Sequence, residues 1–137
     1  MIPIEGLNYL WSVALKGGTQ YPNLYVGLFK GDYTPQPSDT MATFTGLATE
    51  QTLYSETARV PLLLGAVASG AVNNADDVAL FTGTTSAEMA TGGFISTSPT
   101  KGSTTGVLIA AVRFPSPLPL GVGNKVEITA PFTAISV

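Results

Sequence analysis

The sequence predicts a mainly β fold, a β-sandwich or jelly-roll-like single domain with one N-terminal α-helix. Three observations lead there. Apolar residues recur with a period of two or in short runs over most of the chain; Gly, Pro, Asn and Thr-rich turns separate those runs; and helical spacing is confined to the first sixteen residues. One domain covering 1–137 suffices, because a chain of about 150 residues already buries roughly 70% of its unfolded surface.

Pro3 to Lys16 reads as the helix. Leu7, Leu10, Trp11, Ala14 and Leu15 fall at i, i+3, i+4, i+7 and i+8, which makes a single apolar stripe. Pro3 suits a first turn, Glu5 complements the positive end of the helix dipole, Lys16 the negative end, and Gly17-Gly18 is a stop. The stripe is expected to pack the helix onto a sheet; a ligand-stacking pair of Tyr9 and Trp11 is the competing reading. Leu24 to Phe29 follows as a strand, with Gly27 marking a bulge or a close approach. Lys30 to Thr40 is a long Pro-bearing polar connection, and a loop of that length in a compact domain is usually functional or held by a partner. Tyr33, Pro35 and Pro37 are therefore candidate inter-subunit contacts.

Two short strands are expected at Gln51 to Tyr54 and Ala58 to Leu64, around a polar turn at Ser55-Glu56-Thr57. Glu50 and Arg59 flank that turn at a spacing that suits a structural ion pair. Without a histidine or third polar group beside them, a catalytic role is disfavoured. Asn73-Asn74-Ala75-Asp76-Asp77 clusters oxygen-bearing side chains, but its spacing is not that of an EF-hand loop and it reads as turn chemistry. Val78 to Thr82 and Thr91 to Ser98 are further strands. Lys101 to Gly106 lacks the terminal Gly-Lys-Ser/Thr and following helix of a phosphate loop, so it reads as a hairpin turn.

Gly106 to Phe114 is almost wholly apolar, the mark of a strand covered on both faces or touching a neighbouring chain. Pro115, Pro117 and Pro119 forbid helix and central strand, leaving a loop or an edge. Lys125 to Thr133 alternates as a half-buried strand, with Pro131 ending the pairing or marking an edge. Phe132, Ile135 and Val137 make the terminus apolar and add three candidate inter-subunit contacts.

Composition narrows the function. The chain is 45% hydrophobic and 11% charged, against about 25% charged in an average soluble domain. Much of the surface must then be apolar or small and uncharged, which suits a component of an assembly and a homo-oligomer. A net charge of −3 with scattered basic residues gives no basis for nucleic-acid binding. Cysteine and histidine are both absent, so thiol catalysis, His-based triads and the usual zinc sites are excluded. The nine acidic residues form no cluster with aromatic neighbours of the kind glycoside hydrolysis needs. Neither catalysis, cofactor nor metal is expected. No secretory signal and no apolar run long enough for a bilayer are visible, so a chain soluble in its host cytoplasm before assembly is expected.

The order of short motifs resembles a family of small virion structural proteins of tailed bacteriophages, of the head-decoration or cement kind. The motifs are Leu7-Asn8-Tyr9-Leu10 ending at Gly17-Gly18, Leu24-Tyr25-Val26-Gly27-Leu28-Phe29, Tyr33-Thr34-Pro35, and Glu50, Tyr54 and Arg59-Val60-Pro61. Phe81-Thr82, Gly92-Gly93-Phe94 and Thr105-Gly106-Val107-Leu108 complete the series before a closing Gly-rich turn and strand. Asn124 departs from the acidic residue expected after that turn. The resemblance implies a non-enzymatic virion component on the capsid surface, with the phage major capsid protein or other virion proteins as partners and no catalytic residues. The alternative is a tail, neck or fibre component with a host-attachment or carbohydrate-binding role, in which Tyr21, Tyr33 and Tyr54 stack on sugars while Asp32 and Asp39 accept hydroxyl hydrogen bonds.

Overall fold

The computed structural model describes residues 1–134, so Ile135 and Val137 lie outside the described residues. The elements in chain order are α1 (Ile4–Lys16), β1 (Leu24–Phe29), α2 (Met41–Leu47), β2 (Glu50–Gln51), β3 (Val60–Leu62), β4 (Ala71–Val72), β5 (Ala79–Thr82), β6 (Met89–Ser96), β7 (Leu108–Pro119), β8 (Lys125–Ile128) and β9 (Phe132–Thr133). The main sheet is antiparallel and curled, in the order β2-β1-β6-β7, with β3 pairing the other end of β1. Two ribbons accompany it, β5 with β8 and β4 with β9.

The main sheet is buried on both faces, which explains the near-continuous apolar runs of β1 and β7. Val26, Leu28, Ile95 and Ile109 face one cluster, where the β5–β8 ribbon contributes Phe81 and Val126. Phe29, Phe94, Leu108 and Ala111 face a second cluster, closed by Met41 and Phe44 of α2. Across β1 and β6 the register sets Gly27 against Phe94 and Phe29 against Gly92. Each aromatic ring lies over the opposing glycine: a Cβ on Gly27 would strike the Phe94 ring, and one on Gly92 the Phe29 ring and the Val112 carbonyl. A Gly92→Ala variant is therefore expected to lose about 1–3 kcal/mol by overpacking, read as a lower midpoint in urea unfolding.

The structure revises several sequence expectations. Residues 41–47 form α2 where no helix was expected, and the strand expected over 51–54 shrinks to β2, with Tyr54 bridging only to Gly83. Of the loop or edge expected at Pro115 to Pro119, the structure shows the edge, since β7 continues through Pro119. The prolines are accommodated because β7 is an outer strand, where a missing N–H leaves no ladder bond unmade. The pairing with β6 skips from Gly92↔Arg113 to Ala90↔Leu118, a bulge that absorbs Phe114 to Pro117. The single strand expected over 125–133 divides into β8 and β9.

The largest revision concerns α1. It lies against β7 through the side that carries Gly6, Tyr9 and Val13, and a Cβ on Gly6 would sit 2.8 Å from the Leu108 carbonyl oxygen. At about 100° per residue, Ile4, Leu7, Trp11 and Leu15 fall on the opposite side. Those four are exposed, Trp11 at 57% and Leu15 at 74%. The stripe that sequence assigns to the core faces outward.

Candidate functional site

Arg59 and Glu50 make the densest polar cluster. The Glu50 carboxylate accepts Arg59 Nε at 2.8 Å and Nη2 at 2.7 Å, and its Oε2 also accepts the Gly102 amide at 2.8 Å. Arg59 Nη1 donates to Ser96 Oγ at 3.2 Å and to the Ser98 carbonyl at 3.1 Å, while Nη2 reaches the Ser103 carbonyl at 3.0 Å. The two side chains are 0% and 4% exposed. The guanidinium also lies 5.0 Å from the centroid of Phe94. The pair ties β2, the start of β3, the end of β6 and the turn before β7 into one unit, and leaves neither group open to a substrate.

Lys101 covers this cluster, donating to the Thr52 and Tyr54 carbonyls at 3.2 and 2.8 Å with its ammonium 3.7 Å from the Tyr54 ring centroid. Burial holds its pKa below the usual lysine range, against the opposing pull of Glu56 and Glu50. Tyr54 itself is buried, and desolvation followed by the Glu50 charge raises its phenol above the usual range. It is therefore unavailable to stack on a sugar.

The arm from Lys30 to Thr40 is fastened to its own chain. Gly31 donates its amide to the Ala48 carbonyl at 2.9 Å, and the Ile4 amide donates to the Pro37 carbonyl at 2.9 Å. Tyr33 is half-buried against Phe44, Pro35 is half-buried, and Pro37 is exposed at the turn. Buried Asp39 accepts the Tyr33 hydroxyl and the Gln36 amide, both at 2.7 Å, so its oxygens are already engaged. Asp32 is paired with Arg113. Glu88, which Lys30 at the start of the arm reaches at 3.2 Å, is held below the usual carboxylate range by hydrogen bonds from Gln51 and Lys30.

The hydrogen bond to Asp39, with burial and the Asp39 charge adding to it, pushes the Tyr33 phenol up to about 12. The unfolded chain releases that proton near 10, so the contribution to stability is complete below about pH 10 and is lost as pH rises toward 12. A Tyr33→Phe variant is expected to lose about 1.5 kcal/mol at neutral pH. Denaturation midpoints taken between pH 9 and 12 should fall less steeply for the variant than for the parent chain.

Two apolar grooves open on the described surface. A groove of about 460 Å³ runs between β6–β7 and the β8–β9 segment, with Phe114, Leu118, Ile128 and Phe132 among its walls. A second, of about 600 Å³, lies between α1, the segment before β4, and β9, with Leu10, Leu24, Leu64, Val67 and Phe132 among its walls. Half-buried Phe132 forms the ridge common to both. Asn74, from the Asn/Asp cluster, is buried and holds the chain between β8 and β9 by accepting the Ala130 amide at 2.7 Å and donating to the Ile128 carbonyl at 3.1 Å. Among the described residues no group of three acidic side chains is placed to hold a metal. No described helix is long and apolar enough to cross a membrane.

Sequence reasoning missed the outward face of α1 and the exposed Leu64 and Val67 beside it. One signal was present: Gly6 inside a helix marks the side where backbone approaches backbone, and it lies away from the apolar stripe. Comparisons with protein-family models, curated proteins and solved structures give no match to this chain.

Proposed function

We propose that this chain is a non-enzymatic bacteriophage virion structural protein, a capsid decoration or cement protein that binds the head lattice and stabilises it through subunit contacts. The observation that carries this reading is the contrast between interior and surface. The charged groups of the buried cluster are engaged with one another and with backbone, whereas the surface offers exposed Trp, Leu, Val and Ile side chains and two apolar grooves. Such a molecule acts by contact and not by chemistry. The order of sequence motifs, which resembles that of tailed-phage virion structural proteins, is consistent with the same reading.

In this reading the β5–β8 and β4–β9 ribbons act as the second layer of a sandwich over the curled sheet. The exposed turn at Pro37, with Tyr33 and Pro35 as its base, and the Phe132 ridge meet the major capsid protein or another virion protein, with Ile135 and Val137, outside the described residues, as the further candidates from sequence. At about 25 cal/mol per Å², roughly 800 Å² of apolar surface represents a gross term of about 20 kcal/mol, most of it offset by ordering and association costs. Repetition over a lattice makes a small net term sufficient.

Cryo-electron microscopy of particles from the source of this chain tests the proposal. Density for the curled sheet with α1 repeated at symmetry-related positions on the shell is the expected result. Density confined to the neck, tail or fibre would replace it with the tail-component reading, and absence from particles would remove both.

A further inference from the structure

We infer that the outward face of α1, together with the adjoining wall of the larger groove, is a self-association surface covered by the same surface of a second copy of this chain. It stands on that face alone and not on the virion reading. The outward side chains of α1 are Ile4, Leu7, Trp11 and Leu15, and Leu10 carries the surface from the helix into the groove beside Leu64 and Val67.

Area is the first consideration. These residues with Met1 are each at least 36% exposed and, counting all their atoms, together uncover on the order of 800 Å², the share one partner contributes to a standard stable interface. Charge selects the occupant. A two-fold contact sets a surface against itself, so any charge near the axis meets its own copy. Within α1 only Glu5 and Lys16 are charged. Glu5 is turned inward, where Oε2 accepts the Met41 and Leu108 amides at 2.8 and 2.7 Å, and Lys16 lies at the far end. The Met1 ammonium, in the wall of the groove, is spent on the Ala111 carbonyl at 3.0 Å, and the side chains of the helix face between Glu5 and Lys16 are uncharged, so that stretch meets its copy without repulsion. Shape agrees: Trp11 and Leu15 supply a convex half, and the groove beside Leu10 a concave one, with the exposed aromatic as the anchor.

Trp11 is the only tryptophan in the chain, so its emission reports this face directly. The test is sedimentation equilibrium of the full chain over a dilution series, with Trp11 fluorescence recorded on the same samples. The expected result is a dimer at micromolar concentration with blue-shifted emission, moving to the red as dilution yields monomer. A Leu15→Arg substitution should raise the dimer dissociation constant at least tenfold. Leu7→Glu with Leu15→Glu should give a monomer at every concentration with unchanged circular dichroism, since both side chains are exposed in the single chain.

A parent chain that stays monomeric with red-shifted emission at the highest concentration overturns the inference. So does a dimer that survives Leu15→Arg unchanged, which would place the contact elsewhere. Emission that shifts to the blue only when undecorated capsids are added overturns it too, and assigns the face to the lattice.

Discussion

An Arg59→Met variant is expected to be about 3–5 kcal/mol less stable than the parent chain, because it strands the buried Glu50 carboxylate without its partner. The loss exceeds that of an ordinary ion pair for a structural reason. Besides Glu50, Arg59 serves Ser96, Ser98 and Ser103, so its removal also leaves the Ser98 and Ser103 carbonyls without these donors. A Glu50→Gln, Arg59→Met double variant removes both charges and should recover part of the loss. Urea unfolding of the two variants measures the difference directly. A single variant within 1 kcal/mol of the parent would mean that the turn before β7 is held by Lys101 and backbone bonds instead.

Phe44→Ala is expected to cost about 3–5 kcal/mol, the range for emptying a large aromatic from a packed core. Phe44 is fully buried and meets Phe29, Tyr33 and Phe94 at ring-centroid distances of 5.6, 6.0 and 5.3 Å. It is the peg by which α2 closes the second cluster and by which Tyr33 anchors the arm. Hydrogen exchange should accordingly accelerate over residues 30–48 before the β6–β7 pairing loosens. Leu47→Ser, on the exposed side of the same helix, is the control and should stay within about 0.5 kcal/mol. Equal losses in both variants would show that α2 contributes as a whole and not through its aromatic.

What could be read from sequence follows the distance over which each signal acts. β1 was legible as a short apolar run and β8 by its alternation, both signals confined to a few residues, and Glu50 and Arg59 stand only nine positions apart. The serines that complete the Arg59 cluster lie 37 to 44 residues away and left no local trace. Nor did α2: Thr43, Thr45 and Gly46 weaken its intrinsic helicity, seven residues are too few to show a period, and the Glu5 carboxylate at its start comes from 36 positions earlier. With α1 the period was correct and its direction was not, because periodicity reports that one side of a helix is apolar and is silent on what that side meets. Gly6 carried the missing information. Pro115 to Pro119 was legible as an edge but not as part of β7, whose length depends on a partner strand that begins at Met89.

The Glu5 carboxylate carries one further consequence, for synthesis. It binds the Leu108 amide 103 positions later, and the Ala111 amide bonds back to the Met1 carbonyl at 2.9 Å. Helix α1 therefore has no docking place until β7, about a hundred residues later, has been made, and closing so long a loop is slow compared with forming the helix itself. Until β7 exists, α1 is a tethered segment with both of its sides bare, and hydrogen exchange protection of α1 is expected to appear after that of the β5–β8 ribbon.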